Sequence, residues 1–395
     1  MTAVTTLAGA DTYVLQEAIS GYSDEAYTNA RKLSGTGIVG SNPLIDTATE
    51  TFIGQIRWHK PLNPTINVAS LTVSTDGSTT SSSTDYLTYI KTVRTHGAEK
   101  VNMQEVVTQI DGLAKIGRDF AETRSQDEHN ALLSVLKGVA TTEVLYGAGI
   151  GSGSVGLGGQ TFDNDPTSKR YGFYVDLGNN KAIVDATAII QGAARAEGFL
   201  QALGKAYKDY EPEYAYLVTS PEVKASLRSA NLVDQTQVVE GNVVFDTIFG
   251  GKFRLIQTRV SQGFSTAEIT KFNTGGGVDI VGAKTSFIIL PGAVAMAGLA
   301  VPTPVEIDRN PKAYKGGGTT TVWYRWGYVY APAGYDWVGS NAKFPSDDEY
   351  KYAVEGGTPV ALTGVSSGTL ASTTGTWNRK FASALSLGIL PVFHS

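Results

Sequence analysis

The sequence contains no cysteine. That excludes a disulfide framework, a zinc–thiolate site and a thiol nucleophile. Histidine is scarce as well: His59, His96, His129 and His394 are the only four, and none pairs with another at metal-ligand spacing. Charge is thin, with Asp, Glu, Lys and Arg at 17% of the chain, against about 25% in an average soluble protein. The 37 acidic residues outnumber the 32 basic ones, for a formal net charge of −5. A protein dedicated to coating DNA needs a basic face, and this balance argues against one. The longest apolar run, Phe287 to Val301, is too short to cross a bilayer and carries Pro291-Gly292 near its start. Asp11 interrupts any early apolar run and the first basic residue is Arg31, so no secretory signal is read. The expectation is a soluble protein with no membrane partner, made in a reducing compartment or indifferent to redox state.

What is present is length, glycine and pattern. A chain of 395 residues can bury a large core, normally divided over two or three units. Residues 1–60 read as an arm with two short helices. Val14, Leu15, Ala18, Ile19 and Tyr22 form one apolar stripe; Ala26, Tyr27, Ala30 and Leu33 form the next, after a candidate cap at Ser23. Neither helix is long enough to persist alone in water, so the arm has to lie on its own chain or on a neighbour. Residues 61–100 read as a long hairpin. Ile66 to Val73 is the outgoing strand and Tyr86 to Val93 the return; the tip, Ser74 to Thr84, has nine Ser or Thr in eleven residues. Two readings stay open here, a flexible surface loop and a projecting hairpin that orders on a partner.

The strongest periodic segment is 102–140. Met103, Val106, Val107, Ile110, Leu113, Phe120 and Ala121 recur at helical spacing, and the stripe resumes at Leu132, Val135, Leu136 and Val139. The spacing predicts one long helix, or two broken near Arg124. A Gly-rich loop is expected at 146–170, strands at 171–177, 214–218, 243–249, 253–259, 287–290, 305–308 and 319–330, and helices after Asp185 and after Ser220-Pro221. The last stretch, rich in Gly, Ser and Thr, ends in an apolar tail, Leu385 to Phe393.

Chemical motifs do not survive their context. Gly151, Gly153 and Gly156 match a dinucleotide fingerprint, but no helix is expected to open there and cradle a pyrophosphate. Gly364-Val365-Ser366-Ser367-Gly368 fits the esterase elbow inside a Ser/Thr-rich tract with no following helix. His129 beside Glu128 reads as a solvated helix face, and Asp347, Asp348 and Glu349 as a solvated acidic turn. Tyr324, Trp326, Tyr328 and Tyr330 alternate, so they share one sheet face. That face is either a core packed on a helix or a platform for a sugar, and the core reading is preferred. No catalytic, cofactor or metal residues are assigned, and no enzyme is expected.

The order of elements resembles the tailed-bacteriophage major capsid protein family, with its Hong Kong phage-type coat fold. The resemblance covers roughly 10–340. It is carried locally by Tyr214-Ala-Tyr-Leu-Val-Thr-Ser-Pro-Glu222, by Phe245-Asp-Thr-Ile-Phe-Gly-Gly-Lys-Phe-Arg-Leu-Ile256, and by the closing run from Val305 to Trp337, above all Trp323-Tyr-Arg-Trp-Gly-Tyr-Val-Tyr330. What the resemblance implies is an α+β fold: an N-terminal arm at 1–60, an extended hairpin at 61–100, a peripheral domain with a spine helix at 101–184 completed by 301–345, and an axial α/β domain at 185–300. Residues 346–395 would be a C-terminal extension. It implies a shell subunit forming hexamers and pentamers, with scaffolding, portal and decoration proteins as further partners. Packaged double-stranded DNA would be met only non-specifically, and the protein would reside in the virion after assembly in the host cytoplasm. Contacts between subunits would then involve Tyr13, Tyr22, Asp76, Gly77, Tyr86, Tyr89, Lys91 and Arg94. The alternatives are another structural protein, such as a tail or surface-layer subunit, and a carbohydrate-binding module. Lys91 lies on the return strand rather than at the tip, so the lysine–asparagine cross-link found in some members is not expected of it.

Overall fold

The computed structural model describes residues 36–48, 51–59, 84–101, 112–149, 173–176, 181–184, 199–200, 203–204, 212–229, 231–234, 237–240, 243–258, 284–337, 345–351, 354–355, 358–359, 377–380 and 387–394. The fold is α+β: two large mixed sheets share one long helix. The six-stranded sheet has the order β1 (Val39–Ser41), β11 (Val294–Gly298), β13 (Thr319–Pro332), β3 (Thr84–Val101) and β2 (Ile53–His59), with β12 (Val305–Asn310) also paired to β13. The eight-stranded sheet runs β4 (Phe173–Asp176), β5 (Lys181–Val184), β18 (Ile389–His394), β10 (Lys284–Ile289), β6 (Ala215–Thr219), β9 (Phe253–Gln257), β8 (Val243–Ile248) and β7 (Val238–Glu240). Two small ladders complete the chain, β14 (Tyr335–Trp337) with β17 (Trp377–Arg379), and β15 (Val354–Glu355) with β16 (Thr358–Pro359).

Helix α1 (Gly112–Gly149) has 38 residues, about 57 Å at 1.5 Å per residue. It passes Arg124 without a break, and Arg124 pairs with Glu128 one turn on at 3.2 Å. It also runs four residues, 146–149, into the stretch expected to be loop. Residues 102–111, expected to open it, lie outside the described residues. Its apolar stripe, from Phe120 through Leu132, Val135, Leu136 and Val139, is buried. The stripe belongs to one core with residues of both sheets, among them Tyr216, Val218 and Phe287 from the eight-stranded sheet and Val322 and Tyr328 from the other.

The alternation of strands sorts side chains cleanly. In β6, Tyr216 and Val218 face the α1 core, while Ala215 and Leu217 join a second core with Phe199, Leu203, and Val223 and Leu227 of α2 (Pro221–Ser229). Ser220 Oγ accepts from the amide of Val223 at 3.4 Å, capping α2 as the Ser-Pro pair predicts. In β13 the row Tyr324, Trp326, Tyr328 and Tyr330 is buried against α1, which settles the aromatic face as core. Three of its polar tips reach the helix: Trp326 Nε1 donates to Asp127 at 2.9 Å, Tyr330 Oη to the Glu128 carbonyl at 3.1 Å, and Arg124 donates to Tyr324 Oη at 3.1 Å. A buried Tyr or Trp tends to satisfy its polar end, and the spine does so for these three. Glu128 is therefore fully buried and bonded, not solvated as the sequence reading expects.

Three further placements differ from the expected domain map. Strands β4 and β5 join the eight-stranded sheet rather than a peripheral unit with α1. Strand β11 belongs to the six-stranded sheet, although it falls within 185–300. Described parts of 346–395 pack into the body rather than extend from it. Strand β18 lies inside the eight-stranded sheet between β5 and β10, and Trp377 and Tyr350 pack on Trp337 beside α1. Among the described residues no helix is long and apolar enough to cross a membrane.

Candidate functional site at the hairpin root

Strand β3 divides its pairing. Residues Lys91 to Val101 pair with β13, while Thr84 to Ile90 pair with β2, from Ile53 opposite Ile90 to His59 opposite Thr84. The β2–β3 ladder thus runs on past the last β13 pair by seven residues, on the order of 23 Å. The sequence places the outgoing strand at Ile66 to Val73; the strand found opposite the return is Ile53–His59. Its apolar signal is weak, since Ile56 is buried but Ile53 is half exposed and Gln55 and Arg57 face water. Residues 60–83, with the expected tip and its Asp76 and Gly77, lie outside the described residues, as do Tyr13 and Tyr22 of the arm.

The two faces of β3 carry different jobs. Ile90, Thr92 and Arg94 share the face that turns toward α1. Arg94 sits between Asp127 of α1, at 3.6 Å, and Asp347 of α3 (Asp347–Lys351), at 3.3 Å. Thr92 and Tyr350 join their hydroxyls in a buried hydrogen bond, and burial pushes the Tyr350 phenol well above its ordinary pKa. Tyr89 and Lys91 share the opposite face, two residues apart, and both reach residues between β1 and β2: Asp46 for both, and Ala48 and Thr51 for Lys91. The amide of Asp46 donates to Tyr89 Oη at 2.8 Å. Lys91 Nζ donates to Asp46 Oδ2 at 2.7 Å, to the Ala48 carbonyl at 2.5 Å and to Thr51 Oγ1 at 3.2 Å.

These bonds explain how a lysine can be 1% exposed. A buried ammonium is costly unless its three N–H groups are all met, and here one short segment meets all three. The pair is lopsided, because the Asp46 side chain is 55% exposed while Lys91 is sealed. The hydrogen bond from Lys91, helped by the Ala48 amide, holds the Asp46 carboxyl below the usual carboxylate range. Burial raises the Tyr89 phenol. Across the ladder Tyr89 faces Gly54, where a Cβ would come within 2.2 Å of the ring; the glycine makes room for the aromatic that carries the Asp46 contact. Beside this fastening lies a mainly apolar cleft of about 290 Å³, bordered by Asn42, Leu44, Ile56, Tyr89, Ala331 and Tyr335.

On the far side the root is braced again. Asp336 Oδ1 accepts from the amide of Thr88 at 2.5 Å, and Lys380 lies 3.7 Å from Asp336 and 4.0 Å from Asp85. Toward the tip the side chains open to solvent. Tyr86 is 42% exposed, and its hydroxyl accepts from Arg57 at 2.7 Å with the guanidinium 5.3 Å from the ring centre.

Of the eight residues expected at subunit contacts, the structure describes four. Tyr86 is partly exposed. Tyr89 and Lys91 are turned into their own chain, and Arg94 is held between α1 and α3, so their side chains are spent on internal contacts. The sequence reading missed Asp46, Thr51, Asp127 and Asp336, which do the holding. Asp46 stands 45 residues from Lys91 with no motif to link them. Among the described residues no three metal-ligating side chains come together, and the polar groups of the root bond to one another as a fastening.

No protein-family model and no curated protein matches the chain. Solved structures similar to it include the capsid asymmetric unit of cyanophage Pam1, at 12% identity and a TM-score of 0.43, covering 87% of this chain and 85% of that one. The capsid of Ralstonia phage GP4 is similar at 14% identity and a TM-score of 0.43, over 78% and 86%. The head structure of Helicobacter pylori bacteriophage KHP40 is similar at 9% identity and a TM-score of 0.41, over 90% and 86%. Each of the three is a phage capsid or head.

Proposed function

We propose that this chain is a major capsid protein that assembles with copies of itself into an icosahedral shell around phage double-stranded DNA. The observation that carries the reading is the division of β3. One half is locked in the six-stranded sheet against a helix that also serves the other sheet, and the other half leads outward in a two-stranded ladder. A two-stranded ladder is marginal on its own and gains its stability by lying on something. A rigid beam with a ladder leading away from it suits a subunit that overlaps its neighbour. Shells of this kind are held by many weak, repeated contacts.

On this reading hexamers and pentamers are the building units, and Tyr86 with Arg57 lies on the part of the ladder that meets a neighbour. Scaffolding, portal and decoration proteins are partners of the same reading, DNA is met without specificity, and assembly occurs in the host cytoplasm. The buried aromatic row of β13 leaves no platform there for a sugar. The test is gradient sedimentation and negative-stain microscopy of the purified protein. Hexamers, pentamers or closed particles are expected. Monomers alone, even with phage assembly factors added, overturn the proposal.

A further inference from the structure

We propose that Lys91, Tyr89 and Asp46 form a clamp that fixes the direction in which the β2–β3 hairpin leaves the body. The inference stands on the geometry of the root and does not require the shell reading. Backbone pairing alone cannot fix that direction, because a two-stranded ladder twists and bends more freely than a wide sheet. Beside the Asp336 brace on Thr88, it is restrained by a strap, residues 42–48 with Thr51, laid across the face of β3 just where pairing passes from β13 to β2.

The strap is fastened on two sides. The Thr47 carbonyl accepts from the amide of Ala300 at 3.2 Å, which ties the strap to the chain just beyond β11. Asp46, Ala48 and Thr51 converge on Lys91, and the Asp46 amide lies on the Tyr89 hydroxyl. Ile45 and Ile56 are buried with Tyr89, Leu299 and Val329, so a small apolar core of its own sits under the strap. Lys91 is the first β3 residue paired to β13, and its amide also donates to the Phe52 carbonyl at 2.8 Å. One residue thus belongs to the sheet, the ladder and the strap at once. Its ammonium is the group that closes the three together.

The clamp predicts that local opening here is set by Lys91 while the far sheet is indifferent. Hydrogen exchange on the whole chain, read by mass spectrometry, tests it. In Lys91→Met, which keeps the length of the side chain and removes the ammonium, amides of 42–59 and 84–91 are expected to exchange about tenfold faster or more, as local opening becomes cheaper. Amides of β6 and β10 should exchange at the unsubstituted rate. Equal acceleration in β6 and β10 would make Lys91 a contributor to global stability only and overturn the clamp. Unchanged exchange at 42–59 would overturn it as well. If Lys91→Met does not fold, Thr51→Val and Asp46→Asn, which each weaken one bond to the ammonium, are read on the same peptides. Asp46→Asn, which takes away the charged acceptor, should loosen the strap more than Thr51→Val, which takes away a neutral one. No local loosening in either variant also refutes the clamp.

Discussion

Gly138 of α1 lies directly against the backbone of Tyr350: a Cβ at that position would stand 2.1 Å from the Tyr350 carbonyl oxygen and 2.7 Å from Trp377 Cδ1. A glycine inside a helix costs about 1 kcal/mol relative to alanine, so its place here needs this close approach. It allows α3 and Trp377 to reach the spine, where Thr142 Oγ1 bonds the Trp377 carbonyl at 2.9 Å. Gly138→Ala must push backbone aside and is expected to destabilise the chain by about 1–3 kcal/mol. Gly204→Ala, where a Cβ would meet nothing within 4 Å, is the control and should be neutral or slightly stabilising. Denaturant midpoints of the two variants, measured side by side, decide it; a neutral Gly138→Ala would mean that the helix and α3 are not so closely engaged.

The aromatic row on β13 gives a second prediction. Trp326 is 5% exposed, stacks on Tyr324 with centroids 5.5 Å apart, and donates to Asp127. Trp326→Ala should cost about 3–5 kcal/mol as a cavity opens beneath α1. Trp326→Phe keeps a ring but leaves Asp127 without that donor, and should cost about 1 kcal/mol. Urea unfolding followed by circular dichroism separates the two. Near-equal losses would show that the two variants remove the same interaction and that a phenyl ring cannot fill the indole's place.

Much of this architecture is legible in the sequence where a single physical signal dominates. The stripe from Phe120 to Val139 announces a helix because one buried face repeats with its period. The row from Tyr324 to Tyr330 announces a sheet face for the same reason, with a period of two. Ser220-Pro221 marks the start of α2 through cap chemistry alone. The misplacements share a cause. Strand β2 is read as arm because only Ile56 is buried among its described side chains and its partner lies beyond 24 intervening residues. The tail from Leu385 is apolar for a sheet whose other strands come from 173–289, and nothing local says which sheet it completes. Lys91 is read as a contact to a neighbouring subunit because a lysine is seldom buried within its own chain. Its three acceptors, Asp46, Ala48 and Thr51, lie 40 to 45 residues upstream, and no motif links them to it.

Acid should loosen the chain through two aspartates. Asp46 is held below the ordinary carboxylate pKa by Lys91, and Asp246 by Lys224 at 2.5 Å, with Gln237 and Arg228 adding to it. A carboxyl whose folded pKa is depressed contributes stability above its unfolded pKa of about 3.9. That contribution is lost as pH falls through the folded value. The thermal midpoint is therefore expected to hold from neutral pH to about pH 5 and to fall steadily below about pH 4. Asp246→Asn should lower the midpoint at neutral pH and flatten the acid limb. An unchanged slope in that variant would assign the acid sensitivity to other carboxylates.

The C-terminal strand carries the sharpest structural prediction, because an appended tail and an inner strand respond oppositely to removal. Leu387, Ile389, Leu390 and Val392 are all fully buried, and β18 pairs with β10 along six residues and with β5 on its other side. Burying four such side chains is worth about 1.5–3 kcal/mol each, a sum comparable to the whole stability of an ordinary domain. Ending the chain after Ser386 strips that burial from both cores and leaves β10 with an open edge. Such an edge invites aggregation. The truncated chain should be recovered as insoluble or aggregated material. A synthetic peptide of residues 387–395, added during refolding, should restore soluble protein by filling the vacated place in the sheet. A truncated chain with an unaltered thermal midpoint would show that the eight-stranded sheet does not depend on β18.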